Sequence, residues 1–194
     1  MPEGLRKRKD DIISHAITII AEEGIQNLSI RHIAKRVGIK ESSIYSHFES
    51  KDEIIKNVLE VIKKDALNMW VEIYNETSDP LDELKLFFKK TCEGHIIAPN
   101  NSKVLWFSSH HFKGEHFEMI KEIFEIHRSN MYKSIEACRK AGIINSQFKN
   151  EYLTSLISGQ AYIFLLRNLC TIDYEEHSID DIWEVIKSAL ITLK

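Results

Sequence analysis

Apolar residues recur with a helical period along nearly the whole chain, and this regularity limits the fold more than any other feature of the sequence. Ile13, Ala16, Ile17 and Ile20 fall at i, i+3, i+4 and i+7, and Gly24 follows as a stop. Ser29 caps a short helix carrying Ile30, Ile33, Ala34 and Val37, which Gly38 ends, and a second short segment runs from Lys40 to Phe48. Ser50-Lys51-Asp52-Glu53 is a capping box. It opens a long helix with the stripe Ile55, Val58, Leu59, Ile62, Ala66, Met69 and Ile73. Asp79-Pro80 starts the next helix, with Leu81, Leu84, Phe87 and Phe88 on its apolar face. Pro99-Asn100-Asn101 breaks the pattern before the short apolar segment Val104 to Phe107.

A long helix from Glu115 to Ala141 carries Phe117, Ile120, Phe124, Met131, Ile135 and Cys138 on one face and Met119, Ile123 and Ile126 on a second. Gly142 is its stop. Residues 151–170 are apolar nearly all round, and Ser178 caps a last helix bearing Ile179, Ile182, Trp183, Ile186, Ala189 and Leu193. No strand-like alternation and no long-period repeat interrupts the pattern. An all-α chain of about nine helices is predicted, three short ones followed by longer ones.

Composition narrows the classes. A chain of 194 residues that is 43% hydrophobic and 9% aromatic buries a real core and is not disordered. Three separated cysteines, Cys92, Cys138 and Cys170, suit reduced thiols rather than a disulfide framework. The polar start and the absence of a signal sequence point to the cytoplasm. The longest uncharged run, Tyr152 to Leu166, is 15 residues and too short to span a bilayer. A net charge of -3 argues against a nucleic-acid binder only when averaged over the chain. Residues 1–64 hold 12 Lys and Arg against 10 Asp and Glu, whereas residues 65–194 hold 14 against 19. The basic run Arg6-Lys7-Arg8-Lys9 adds positive charge near the start. No Gly-rich phosphate loop, no G-x-S-x-G elbow and no histidine pair at metal spacing is present, so neither an enzyme nor a cofactor is expected.

Residues Ser29 to Phe48, SIRHIAKRVGIKESSIYSHF, carry the chemistry. Two short helices that cross tightly need a small residue at the contact, a turn residue tolerating positive φ, and an apolar anchor on the second helix. Ala34, Gly38 and Ile44 fill these roles, with Ile33, Val37 and Ile39 completing the core. The outward face of the second helix then presents Lys40, Ser42, Ser43, Ser46 and His47, small or hydrogen-bonding side chains suited to a major groove.

Residues 5 to 60 resemble the N-terminal domain of the TetR family of bacterial transcriptional repressors. The likeness rests on the capped helix, the small-residue turn and the Tyr45-Ser46-His47-Phe48 ending, followed by Ser50-Lys51. The resemblance implies a DNA-binding domain over residues 1–50 and a ligand-binding and dimerisation domain over residues 51–194. It implies that Ser29 faces a phosphate, Arg31 reaches backbone or base edge, and Lys40, Ser42 and Ser43 face bases and phosphates. Tyr45 and His47 would donate to phosphate, and Lys51 would clamp the flanking strand. The chain departs from the family pattern where Lys40 replaces a Ser or Thr cap, Glu41 a Lys, and Ser42 a Gly. Glu41 either accepts from a cytosine amino group or points away from the DNA.

The implied partners are a double-stranded DNA operator, a small apolar or amphipathic ligand, and a second copy of the chain. Trp70, Tyr74, Phe87, Phe88, Trp106, Phe107, Phe124, Tyr132 and Tyr162 are either ordinary core or the walls of a ligand pocket. His95, His110, His111, His116 and His127 show no ligand spacing, since His111 and His116 are five apart and His116 to His127 spans about 16 Å of helix. No metal site is expected. His127 lies on the apolar stripe between Phe124 and Met131, as either a satisfied core histidine or a polar anchor of the pocket. Residues 151–170 and 178–193 are expected to form the homodimer interface, where Ser155, Ser158 and Gly159 permit close helix approach.

Overall fold

The computed structural model describes residues 3–144, 148–170 and 178–191 of the chain. The sequence-based expectations for Leu193, and for the side chains of Arg6, Lys7 and Cys170, lie outside the described residues. Among those described, the chain forms nine α-helices and no strand. They are α1 (Glu3–Glu23), α2 (Ile30–Val37), α3 (Glu41–Tyr45), α4 (Lys51–Glu76), α5 (Pro80–Ile97), α6 (Pro99–Phe107), α7 (Gly114–Lys140), α8 (Asn150–Cys170) and α9 (Ile179–Leu190). Single 3-10 turns lie at Ile25–Asn27 and Ser109–His111. No helix among the described residues is long and apolar enough to cross a membrane.

Local signals set the helix ends. The Ser29 hydroxyl accepts from the His32 N–H at 3.1 Å. Asp79 accepts from the N–H groups of Leu81 at 2.9 Å and Asp82 at 3.0 Å, with Pro80 at the first helical position. Ser178 and Asp181 form a complete capping box. The box before α4 is rearranged. Glu53 N–H donates to Ser50 Oγ at 3.1 Å as expected, but the Glu53 carboxylate accepts from Glu49 N–H at 2.6 Å rather than from Ser50. Pro99 corrects another expectation. It opens α6 rather than breaking the helical pattern, because proline lacks only an N–H that the first turn leaves unpaired.

The backbone divides into two compact units, residues 1–65 with 98–123 and residues 66–97 with 124–194. In the first, α1 is packed by α2 and by α6. Its buried face is therefore wider than one stripe and adds Ile12 and Ile19 to the predicted Ile13, Ala16, Ile17 and Ile20. Ile54, Ile55, Val58, Leu59 and Ile62 of α4 complete this core. On α7 the two predicted faces are not equal. Met119, Ile120 and Ile123 are buried, whereas Phe117, expected in the core, is 40% exposed with Lys121 over its ring. Both stripes supply buried residues here, Ile120 from the first and Met119 and Ile123 from the second, and only Phe117 at the start of the first turns outward.

In the second unit α5 packs on α8 and α9, which also contact each other. Phe88, Ile135, Cys138, Ile157 and Ile186 lie at the centre, and Trp183 meets Phe88 with ring centroids 6.2 Å apart. Each such side chain stabilises the fold by roughly 1.5–3 kcal/mol through burial. Cys92 and Cys138 are free, and burial pushes both thiols up to about 12, which leaves them protonated and unreactive. Phe124, expected on the core stripe of α7, is only half-buried.

Candidate nucleic-acid interface

A three-residue turn, Gly38-Ile39-Lys40, separates α2 from α3. Gly38 has φ +76°, a left-handed conformation that glycine adopts without Cβ strain. Its N–H and that of Ile39 both donate to the Ala34 carbonyl, at 2.9 and 3.0 Å, which closes α2. Ile33, Ala34, Ile44 and Phe48 are buried and fix the angle between the two helices. Val37 and Ile39 are only half-buried. The segment expected to be helical from Lys40 to Phe48 is helical only over Glu41–Tyr45, and Ile44 O then accepts from the N–H groups of His47 and Phe48.

Anchoring Ile44 and Phe48 inward turns the rest of α3 outward. Lys40, Glu41, Ser42, Tyr45 and Ser46 are exposed, as are Ser29 and Arg31, while Ser43, His47 and Lys51 are half-buried. Tyr45 is 56% exposed, an unusual position for an aromatic ring that makes no ring contact among the described residues. The Ser46 hydroxyl donates to Ser43 O at 2.7 Å, so its lone pairs rather than its proton face outward. All ten side chains expected at a nucleic acid thus flank one turn, seven of them exposed.

The cations of the motif divide into two groups that the sequence did not separate. Arg36 is committed. Its guanidinium donates to Glu23 at 2.7 Å and Glu22 at 3.3 Å, and these hydrogen bonds hold its pKa above the usual value. His32 lies 3.5 Å from Glu23 as well. Arg31, Lys35, Lys40 and Lys51 make no ion pair among the described residues, so their charge is available to a phosphate. Lys35 is exposed and was missed. It stands four residues after Arg31, so the two share one face of α2, and that spacing is the signal that could have found it. Lys9 on α1 was read only as part of a basic run, yet its ammonium lies 4.8 Å from the Phe48 ring centre.

A sequence model of the bacterial regulatory proteins of the tetR family matches residues 12–58, a stretch that contains most of α1, all of α2 and α3, and the start of α4. Residues 12–58 thus form an N-terminal domain of the tetR-family type. Among curated TetR-like relatives, the transcriptional repressor KstR2 of Mycolicibacterium smegmatis is 28% identical over 92 residues, 47% of this chain and 45% of the relative. The nucleoid occlusion factor SlmA of Vibrio cholerae is 23% identical over 122 residues, 62% of each chain. The aligned stretches therefore span about half to three fifths of these relatives. The solved structure of the ketosteroid transcriptional regulator KstR2 of Mycobacterium tuberculosis superposes with a TM-score of 0.79 at 16% identity, over 96% of both chains, which establishes the TetR fold along the whole length.

Side chains expected at a TetR-type ligand pocket are distributed between the two units. Trp106, half-buried, and Phe107, exposed, belong to the first. In the second, Trp70 stacks on Phe87 with centroids 5.2 Å apart and an interplanar angle of 12°, and both are buried. Trp70 also donates its indole N–H to His127 Nδ1 at 3.1 Å, and Tyr74 donates to Asn130 Oδ1 at 2.8 Å. Phe88 is fully enclosed beside Trp183, Tyr132 lies under the Arg128 guanidinium, and Tyr162 is half-buried. Burial lowers the pKa of His127 to about 4, so its ring is neutral near physiological pH. His110 and His111 are exposed on a 3-10 turn, and no group of three metal-ligating side chains occurs among the described residues.

Proposed function

We propose that this chain is a TetR-family transcriptional repressor that binds a palindromic DNA operator as a homodimer and is released by a small molecule. The observation that carries the reading is the α2–turn–α3 unit, in which buried Ile44 and Phe48 force a polar face outward. In this reading α3 enters the major groove, with Lys40, Glu41, Ser42 and Ser43 toward base edges. Ser29, Arg31, Tyr45, Ser46, His47 and Lys51 hold phosphates and fix the register. Half-sites then lie about one helical turn apart or somewhat more. Residues 1–50 form the DNA-binding domain and residues 51–194 the sensing and dimerising domain.

The proposed two-fold contact uses α8 and α9. Tyr152 and Val185 are 65% and 70% exposed, Ile163 and Ile191 are exposed beside them, and a second copy would cover these apolar side chains in a four-helix bundle. The proposed inducer is apolar or amphipathic and enters the unit that holds Trp70, Tyr74, His127 and Tyr132. A second reading, a DNA-organising protein with no inducer, is favoured by the likeness to the nucleoid occlusion factor SlmA.

One experiment separates the two. Sites are selected from random DNA with the full chain, and the selected complex is then titrated with a small-molecule library. A palindromic site whose complex dissociates on ligand addition supports the repressor. A complex insensitive to every ligand supports the organising role, and no selected sequence at all removes both.

A further inference from the structure

The contact between Trp70 and His127 carries more information than its length. An indole nitrogen only donates, so at 3.1 Å the His127 Nδ1 must offer a lone pair and hold no proton. A neutral imidazole with Nδ1 bare carries its proton on Nε2. Trp70 is not free to turn away, because its ring is buried and stacked on Phe87, whose own ring lies 5.3 Å from the His127 ring. Nε2 of His127 hydrogen-bonds to no described residue, and the residue is only half-buried, so this N–H meets whatever enters beside the ring.

We infer that Trp70 locks His127 as an Nε2–H donor, and that the ligand of this unit is an uncharged molecule whose carbonyl, ether or hydroxyl oxygen accepts from it. The inference rests on the reading of this unit as the sensing one. An ammonium group would bring N–H against N–H with no acceptor between them. A metal ion would need the Nε2 lone pair, and freeing it places a proton on Nδ1, where the Trp70 N–H already points. A carboxylate gains no ion pair, because the ring cannot take a second proton without expelling Trp70. Arg128, the nearest guanidinium along α7, already donates to Glu125 at 2.6 and 2.7 Å and lies over Tyr132. It is not free to supply the missing charge.

The test uses the full chain labelled with ¹⁵N in histidine, without DNA, at about pH 7. The His127 resonances should show a protonated Nε2 and a bare Nδ1, and Trp70→Phe should mix the two tautomers. A protonated Nδ1 in the parent, or an unchanged ring in Trp70→Phe, overturns the lock. Three probes of one ring size then set the class: cyclohexanone, cyclohexylammonium and cyclohexanecarboxylate. The ketone should shift the Nε2–H resonance with an affinity about tenfold or more above the other two. Equal or reversed affinities overturn the ligand class. His127→Phe should lose ketone binding, read by titration calorimetry, while keeping its helical circular dichroism, and His127→Gln, which retains an N–H, should keep part of it. Persistence of full ketone binding in His127→Phe overturns the assignment. Because no DNA is present, a locked tautomer with no operator release would locate the failure in the regulatory reading, not in this one.

Discussion

The two units of this chain dispose of their polar and aromatic side chains in opposite ways. Around the α2–α3 turn, a small buried set of Ile33, Ala34, Ile44 and Phe48 holds a surface of serines, lysines and an exposed tyrosine that bond to little else. In the unit of residues 66–97 and 124–194, Trp70, Phe87, Phe88 and Trp183 are enclosed, and the Trp70 indole N–H is matched by His127. The proposed function needs both: uncommitted groups where a charged polymer would be met, and satisfied groups where a core must stay closed. The contrast teaches that residue type alone does not identify a site. An arginine in the motif is spent on α1, and a tryptophan far from it is core.

The strongest way to break this contrast is to empty the aromatic core. Trp183→Ala should destabilise the chain by about 3–5 kcal/mol, read as a lowered midpoint in urea unfolding. A loss below about 1 kcal/mol would mean that the second unit is not packed around this ring. Acid should act on the same unit through two histidines. Burial lowers His95 and His127 from 6.5 to about 4, so the unfolded chain binds more protons between those values. Their contribution is complete above pH 6.5 and is lost as pH falls toward 4, which a melting series across that window measures. In His127→Phe the slope of melting temperature against pH should flatten.

The motif offers a smaller and differently caused effect. Gly38→Val should cost roughly 1–3 kcal/mol, all of it backbone strain, because nothing lies within 4 Å of a Cβ built there. Gly38→Asn should recover most of that loss, since asparagine tolerates the left-handed region. Equal losses for the two would assign the cost to packing instead.

How much of this was legible in the sequence follows from the range of each interaction. Ser29, Gly38, Asp79-Pro80 and Ser178 act within four residues, and each cap or stop lies where its pattern predicts. The TetR motif was legible for the same reason, as every element of it is local. Signals spread over a helix face were weaker. On α7 two stripes have the same period, and only the neighbouring helices decide that Met119 is buried and Phe117 is not. The rearranged box at Glu49 and Glu53 turns on one residue of register. Trp70 has the spacing of either a core or a pocket residue, and its bond to His127 joins positions 57 apart. The commitment of Arg36 was hidden because its partners Glu22 and Glu23 precede it by 14 and 13 residues on another helix.

That last distinction yields the finest prediction. On a selected operator, each phosphate neutralised by a lysine contributes about 0.9 to the slope of log affinity against log salt. Lys51→Ala should therefore weaken binding to all sequences alike and reduce that slope by about 1. Arg36→Ala should leave the slope unchanged, because its charge already faces Glu22 and Glu23. Tyr45→Ala should lower affinity uniformly without changing the slope, since a phenol releases no counterion. Fluorescence anisotropy across a salt series reads all three. If Arg36→Ala and Lys51→Ala reduce the slope equally, the ion pairs of Arg36 open on DNA, and the division between committed and available cations does not survive binding.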